Sequence, residues 1–391
     1  MRAAVIGGRL QGLEAVYLAR KAGWDIVLVD IKSSVPAQNM ADTFYLTDAR
    51  RKDELAAVLS GSDIIIPALE NRAVLANLID TAEVLDIPLA LDLNAYDLSS
   101  SKIASDQLFE DIGVAYPKHW PGCCYPLIAK PTGASGSEGV IRLQDESDLE
   151  LFRKKIGDEE DRWVLQEYLT GPSYSIEIIG YKGEYLPLQV TGLEMDDIYD
   201  CKRVLAPADL SEELKDHFSA LATNIAEEIN LNGIMDVEVI LNKGVLKVLE
   251  IDARLPSQTP TAVFHSTGIN MLETLTATFI NGRLNKDVIV EDKKAVIFEH
   301  IFVSPGKITV SGEHVVSEAG PLALLEDFFG ADEALTNYAP GMEKWMATLI
   351  ITGSDSTDVR NKRESVIKRL MTEMDLIDYL DPEPRVQDIK S

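Results

Sequence analysis

The 391-residue chain is poor in the residues that mark several common classes of protein. Its three cysteines, Cys123, Cys124 and Cys201, are odd in number and two are adjacent, so no disulfide framework is readable. The five histidines are dispersed without the spacing of a zinc site. No run of 18 apolar residues occurs, which excludes an ordinary membrane-spanning helix. We therefore expect a protein of the reducing cytoplasm.

Basic residues are scarce relative to acidic ones. The chain has 37 Lys and Arg against 64 Asp and Glu, which gives a net charge of −27. A field of this sign repels nucleic-acid phosphates and anionic lipid, so we expect neither nucleic acid nor a membrane as partner. The same field weakly favours cationic substrates. An anionic substrate would need local Lys, Arg or a metal ion.

The hydrophobic pattern of the first 95 residues predicts alternating strands and helices, which is typical of a parallel α/β sheet. Strands are predicted at 3–6, 26–29, 63–67 and 89–91, and helices at 10–22 and 53–59. Ligands of such sheets bind at the carboxyl ends of the strands. Gly8 to Gln11, Asp30 and Glu70 all lie at such ends.

The first candidate site is the turn Gly7-Gly8-Arg9-Leu10-Gln11-Gly12, between a predicted strand and a predicted helix. Unpaired N–H groups at a helix N-terminus can bind an anionic ligand there. A dinucleotide fingerprint would have glycine at positions 7, 9 and 12, and Arg9 breaks that pattern. A plain strand-to-helix turn and a nicotinamide site both stay open.

Two further segments suit a nucleotide. Lys130 ends a predicted strand and precedes a loop with glycines at positions 133, 136 and 139. Backbone N–H groups of such a loop can approach phosphate oxygens, and the lysine adds a positive charge. Glu167 and Glu177 are strand carboxylates that can accept hydrogen bonds from adenine or ribose. A structural hairpin and solvated carboxylates are the alternatives.

A second predicted hairpin, closed by an Asn-Lys-Gly turn, has a more specific acidic pattern. Asp236 and Glu238 alternate on its first strand, and Glu250 and Asp252 alternate on its second, with Arg254 following. Period-two spacing directs such residues to one face. Carboxylates crowded there repel one another unless a cation lies between them, and all-oxygen ligands suit Mg²⁺. The arginine suits a developing acyl phosphate. A polar outer sheet face is the alternative.

These features occur in the order typical of the ATP-grasp ligases, and the chain resembles that family over about residues 1–280. The resemblance implies an ATP-grasp fold behind an N-terminal Rossmann-like domain, with ATP and Mg²⁺ as cofactors. It implies cofactor contacts at Arg9, Asp30, Lys102, Lys130, Ser137, Glu167, Tyr168, Leu169 and Glu177, and Mg²⁺ ligands at Glu238, Glu250 and Asp252. Residue 252 departs from the family, which usually has Asn there.

Residues 7–15, 171–177 and 254–270 narrow the resemblance to the ligases that join 3-methyl-D-ornithine to L-lysine in pyrrolysine biosynthesis. The resemblance implies that ATP converts the ornithine carboxylate to an acyl phosphate, which the lysine ε-amine attacks to form an isopeptide. It assigns catalysis to Arg254 and Lys130, and substrate contacts to Leu10, Gln11, Glu70, Asp236, Ser257, Thr259, Pro260 and Thr261. Arg9 stands where we expect Lys in archaeal relatives.

The predicted domains are residues 1–95, Rossmann-like; 96–285, the ATP-grasp domain with a hairpin lid at about 115–180; and 286–391, a C-terminal α+β domain. Other functions stay open at this level. They are a ligase with a different substrate pair, a nicotinamide-dependent dehydrogenase and a nucleotide sensor without turnover. ATP-grasp relatives are often dimers, so a homodimer is also open.

Overall fold

The computed structural model describes residues 1–132 and 139–384. The chain begins with β1 Arg2–Ile6, α1 Leu10–Lys21, β2 Asp25–Asp30, β3 Thr43–Leu46, α2 Lys52–Leu59, β4 Ile64–Pro67 and α3 Arg72–Leu85. The strands form a parallel sheet in the order β3-β2-β1-β4, which confirms the predicted Rossmann-like architecture. The predicted strand at 89–91 was wrong, because Leu89 makes only an isolated bridge to Ile65.

The turn from β1 to α1 is so tight that two of its residues must be glycine. Gly7 has a φ of +103°, and a Cβ on Gly12 would lie 2.0 Å from the Gly7 carbonyl oxygen. At the end of β2, the Asp30 carboxylate accepts a hydrogen bond from the Gly8 N–H at 2.7 Å. These contacts fix the turn at the carboxyl edge of the sheet.

A small separate sheet carries the predicted glycine-loop hairpin. This region comprises α4 Leu93–Ser99, α5 Lys102–Asp111, β5 Leu127–Pro131, β6 Ile141–Leu143, α6 Glu146–Ile156 and β7 Trp163–Glu167. The strands are antiparallel in the order β6-β5-β7, and Leu127, Leu143 and Phe152 are buried between the sheet and α6. The tip of the hairpin, residues 133–138 with the predicted contact Ser137, lies outside the described residues.

The next region contains the acidic hairpin. It comprises β8 Ser173–Tyr181, β9 Glu184–Pro187, β10 Thr191–Met195, β11 Cys201–Ala206, α7 Glu212–Glu228, β12 Gly233–Asn242, β13 Val245–Asp252, α8 Thr259–Thr267 and α9 Met271–Asn281. β12 and β13 pair as the predicted antiparallel hairpin, and β8 pairs with the other edge of β12. The apolar residues between the carboxylates, such as Val237, Val239 and Ile251, are buried in the core.

The C-terminal region extends the same sheet. It comprises β14 Ala295–Ser304, β15 Lys307–Val310, α10 His314–Ser317, β16 Ala323–Phe328, β17 Ala331–Thr336, β18 Trp345–Gly353, α11 Ser356–Glu373 and β19 Asp378–Leu380. The strand order is β13-β12-β8-β10-β11-β14-β18-β17-β16, so pairing of β11 with β14 joins the two regions. No helix in the described part of the chain is long and apolar enough to span a membrane.

Candidate active site

The structure brings the predicted acidic residues together on one face of three adjacent strands. In register across β8, β12 and β13, Glu177 lies opposite Asp236, and Asp236 opposite Asp252. In the neighbouring row, Glu238 lies opposite Glu250. Side chains that are directly opposite on neighbouring strands share a face and lie within contact range. The alternation read from the sequence therefore places five carboxylates in two adjacent rows.

Burial and the charges of neighbouring carboxylates raise the pKa values of Asp236, Glu238 and Asp252. Burial, followed by the charge of Glu250, raises the pKa of Glu238 well above its usual range. Burial likewise raises the pKa of Asp236 to about 6, and that of Asp252 to about 7 even though Arg254 opposes the shift. Negative charge is therefore unfavourable on this face without a cation, and a divalent cation would relieve the repulsion.

The donor set fits a cation that binds oxygen. The candidate ligands Glu238, Glu250 and Asp252 offer only carboxylate oxygens, as Mg²⁺ prefers. Among the described residues, the three side chains whose possible ligand atoms lie within 4.8 Å of one another belong to another cluster. They are those of Asp196, Asp200 and His314.

That other cluster already has hydrogen-bond partners within the chain. Asp196 accepts from the N–H groups of Ile198, Asp200 and Gly312, at 2.8 to 3.0 Å. Asp200 is bonded to the N–H and the Nδ1 of His314, at 2.9 and 2.6 Å. The cluster therefore connects the loop between β10 and β11 to the start of α10.

Arg254 connects the acidic face to a neighbouring cleft. Its Nη2 lies 2.9 Å from Asp252 and 3.1 Å from Glu70, and Glu70 also accepts a hydrogen bond from Gln11 at 2.8 Å. The Arg254 Nε is buried and has no hydrogen-bond partner in residues 1–132 and 139–384. Because buried polar groups are ordinarily paired, this atom is suited to bind a ligand oxygen.

The cleft lies between the carboxyl edge of the parallel sheet and the turn after β13, and its volume is about 820 Å³. The predicted residues that line it are Arg9, Leu10, Gln11, Asp30, Glu70, Arg254 and Ser257. The structure thus brings the predicted lysine contacts and Arg254, the predicted catalytic arginine, to one cleft. Thr259, Pro260 and Thr261 are buried at the start of α8.

Two acidic residues that the sequence analysis missed hold the turn between Arg254 and α8. Glu313, just before α10, accepts hydrogen bonds from the Ser257 hydroxyl at 2.7 Å and the Gln258 amide at 2.9 Å. Glu14 on α1 accepts from the Thr261 N–H at 2.5 Å. A lone acid in the apolar face of α1 is a signal that could have identified Glu14. Glu313 lies in a polar loop and has no comparable signal in the sequence.

The two predicted phosphate lysines lie next to the acidic face. Lys102, the first residue of α5, lines a small cavity of about 180 Å³ together with Glu250 and Asp252. Desolvation lowers the pKa of Lys130 on β5, while the charges of Glu250 and Asp106 oppose the shift. Cationic and anionic side chains therefore lie next to each other here, as the predicted phosphate contacts require.

The predicted adenine segment lies at the end of β7. Glu167 forms an ion pair with Lys247, a residue the sequence analysis did not single out, and accepts from the Lys118 N–H at 3.0 Å. Burial opposes ionisation of Glu167, but these two partners lower its pKa overall. Tyr168 and the buried Leu169 follow directly. Glu177 lies instead in the acidic row, where burial and then Asp236 raise its pKa to about 8.

Comparison with known proteins agrees with this arrangement. A family model described as the ATP-grasp domain matches residues 99–258. The 3-methyl-D-ornithine–L-lysine ligase of Methanosarcina acetivorans is 33% identical over 371 residues, which cover 92% of this chain and 95% of that ligase. The ligase of the same name from Methanosarcina barkeri is 34% identical over 369 residues, covering 92% and 94%.

Solved structures show the same fold at low sequence identity. Biotin carboxylase from Campylobacter jejuni matches with a TM-score of 0.73 and 15% identity, covering 94% of this chain and 91% of that chain. An L-amino acid ligase from Bacillus licheniformis matches with a TM-score of 0.67 and 16% identity, covering 94% and 97%. The predicted ATP-grasp fold is confirmed. The chain therefore belongs to the family of 3-methyl-D-ornithine–L-lysine ligases, which are built on the ATP-grasp fold.

Proposed function

We propose that the protein uses ATP to join the carboxyl group of 3-methyl-D-ornithine to the ε-amine of L-lysine. The observation that supports this most directly is Arg254, which contacts Asp252 of the acidic face, lines the cleft and has a buried Nε without a partner among the described residues. The identity to ligases of this name over 92% of the chain supports the substrate pair. A nicotinamide-dependent reaction has no such support.

Nucleotide contacts are proposed on both sides of the acidic face. Lys102 and Lys130 would bind phosphate oxygens, and Ser137, which lies outside the described residues, stays a predicted cofactor contact. Glu167, Tyr168 and Leu169 would line the adenine, and Glu177 would serve the sugar side. Arg9 and Asp30, at the glycine turn, are proposed as further cofactor contacts because they line the cleft.

Glu238, Glu250 and Asp252 would hold Mg²⁺, which fits their oxygen donors and the raised pKa values of Glu238 and Asp252. When bound, the ion would offset negative charge on the outer phosphates of ATP. The chain's own contribution is to hold these carboxylates at fixed positions on paired strands, since preorganised groups need little rearrangement during reaction.

The reaction would proceed in two steps. A carboxylate oxygen of methylornithine attacks the γ-phosphorus of ATP, which gives an acyl phosphate and ADP. The lysine ε-nitrogen then attacks the acyl carbon and inorganic phosphate leaves. Arg254 would bind the acyl phosphate oxygens, and Lys130 would stabilise the transferring phosphoryl group.

Each substrate carries ammonium groups that carboxylates can bind. Asp236, Ser257, Thr259, Pro260 and Thr261 would form the ornithine side, and Leu10, Gln11 and Glu70 the lysine side. Glu70 is 40% exposed at its side chain, so it can meet an incoming ammonium group. The two sets meet at Arg254.

We further propose the division into residues 1–95, 96–285 with a lid at about 115–180, and 286–391, and a cytoplasmic location. A homodimer stays a prediction that light scattering on the purified protein tests.

A panel of amino-acid pairs tests the proposed function. ADP release should be fastest with ATP, Mg²⁺ and the pair D-ornithine plus L-lysine, with methylornithine preferred, and mass spectrometry should find the isopeptide. Slower release with the ornithine alone is also expected. Release with a different pair would support another amino-acid ligase, and ATP binding without any turnover would support a sensor.

A further inference from the structure

The second step of the proposed reaction needs a proton acceptor. An amine of lysine carries a proton at neutral pH and has no lone pair for attack until it loses that proton. The acceptor must reach the cleft between the lysine contacts and Arg254. Five carboxylates of the described residues line the cleft. Asp30 accepts from the N–H groups of Gly8 and Lys32, and Asp48 pairs with Arg50. The remaining three are Glu70, Asp200 and Glu313.

Two of these carboxylates already have charged or fixed partners. Glu70 forms an ion pair with Arg254 and accepts a hydrogen bond from Gln11. Asp200 is bonded twice to His314, through the backbone N–H and the ring. Glu70 is therefore paired with a cation, and Asp200 with a histidine that can become one.

Glu313 differs because its hydrogen-bond donors are neutral. The Ser257 hydroxyl and the Gln258 amide both donate to the same oxygen, Oε2, which leaves Oε1 for a further proton. The bond between the His314 N–H and Asp200 fixes the backbone next to Glu313. The side chain is thus held at the cleft wall beside Ser257 and Arg254.

The surroundings of Glu313 favour protonation. Burial raises the pKa of its carboxyl, and Asp200 raises it further, while the bonds from Ser257 and Gln258 and the charge of Arg254 oppose the shift. The charged and titratable groups that face it are Glu14 on α1, Asp200 and Cys201 at β11, Glu238 on β12, Arg254 after β13 and the adjoining His314. Most of them are acidic, so they increase the affinity of the Glu313 carboxylate for a proton.

We propose that Glu313 is the general base that takes a proton from the lysine ε-ammonium group. The inference rests on the proposed function. One ammonium proton passes to Glu313 Oε1, and the freed nitrogen lone pair forms the C–N bond. The bond from the acyl carbon to the phosphate oxygen breaks, and the departing phosphate takes the second proton that the nitrogen loses. Glu313 then returns its proton to solvent through the cleft.

Glu313→Gln tests this role because the amide keeps the size of the side chain and cannot accept the proton. The variant is assayed with ATP, Mg²⁺ and D-ornithine, and with either L-lysine or hydroxylamine as nucleophile. Isopeptide formation at neutral pH should fall by about 10²- to 10⁴-fold. Hydroxamate formation should stay near the wild-type rate, because hydroxylamine is largely unprotonated at neutral pH. Ligation of lysine by the variant should recover as the pH is raised.

Glu318→Gln is the matched control, because Glu318 directly follows α10, is exposed and does not line the cleft. It should match the wild type in both reactions. Unchanged lysine ligation by Glu313→Gln would reject the proposal, and so would an equal loss of isopeptide and hydroxamate. A wild-type enzyme that makes hydroxamate but no isopeptide would instead contradict the proposed substrate pair.

Discussion

Two buried arginines of the large sheet, Arg203 and Arg254, both lie among carboxylates. They differ in how completely the chain satisfies them. Arg203 on β11 donates from Nε to Glu299 at 2.5 Å and from Nη2 to Asp381 at 2.6 Å, and its Nη1 contacts Glu194. Glu299 has no exposed surface. Each nitrogen of this guanidinium therefore has a partner from the chain itself.

Arg254 uses one nitrogen, Nη2, for both of its ion pairs and has a buried Nε without a partner in the described residues. A cluster that is complete, like the one around Arg203, can only hold the structure together. A cluster with a buried donor left over carries a cost in free energy that a ligand oxygen would remove. Of these two arginines, the one with a donor left over lines the cleft, and the one whose nitrogens are all partnered does not.

The largest expected effect belongs to the acidic face beside Arg254. Glu250→Ala should abolish ATP turnover, a loss of more than about 10³-fold, because it removes a proposed Mg²⁺ ligand. The melting temperature should not fall, since the change removes one of several mutually repelling carboxylates. ADP release and thermal unfolding measure the two effects. Unchanged turnover would reject the metal assignment.

Disruption of the cluster around Arg203 should have the opposite effect, a loss of stability without a loss of ATP binding. Glu299→Ala leaves Arg203 and Arg363 without their shared buried carboxylate. We expect a loss of about 3–5 kcal/mol in the free energy of unfolding, measured by urea denaturation. The KM for ATP of the folded variant should stay close to that of the wild type. Glu326→Ala, at an exposed position, is the control. Similar stability of Glu299→Ala and Glu326→Ala would contradict a structural role for the cluster around Arg203.

A smaller effect is expected from Glu14, which supports the turn next to Arg254. Burial raises its pKa from 4.5 to about 7, against the opposing bonds from Thr261. The folded state therefore binds this proton more tightly than the unfolded state, and stability falls as the pH rises through that interval. The contribution is on the order of 2–3 kcal/mol between about pH 5 and about pH 8. Glu14→Gln should flatten the pH dependence of unfolding, and an unaltered slope would contradict this assignment.

The smallest expected effect concerns the half-exposed partner of Arg254. Glu70→Ala should raise the KM for lysine by about tenfold, the size expected for losing one hydrogen bond to a charged group. Glu70 lines both the cleft and the small cavity beside Lys102. The KM for ATP should change less, because the hydrogen bond of Glu70 is to Gln11, a proposed lysine contact. Initial rates with each substrate varied in turn provide the measurement. Equal increases in both KM values would argue against a lysine contact.

The local sequence pattern determined how much of the fold and of the candidate site could be predicted. Period-two alternation was enough to predict the β12–β13 hairpin and the shared face of Glu238 and Glu250. The edge strand β3 was missed because its four residues are only partly buried and give little hydrophobic signal. The support of the turn after Arg254 was also missed, since Glu14 and Glu313 reach it from opposite ends of the chain. Such long-range contacts leave no spacing in the sequence.

The pairing of β11 with β14 has a consequence for any attempt to shorten the enzyme. A fragment that ends with the acidic hairpin would leave β11 as a bare edge strand, with unpaired N–H and C=O groups that invite association with other copies. It would also lack Glu313. The region with the acidic hairpin therefore cannot be moved into another protein by itself. A chimera between relatives must include the C-terminal strands as well.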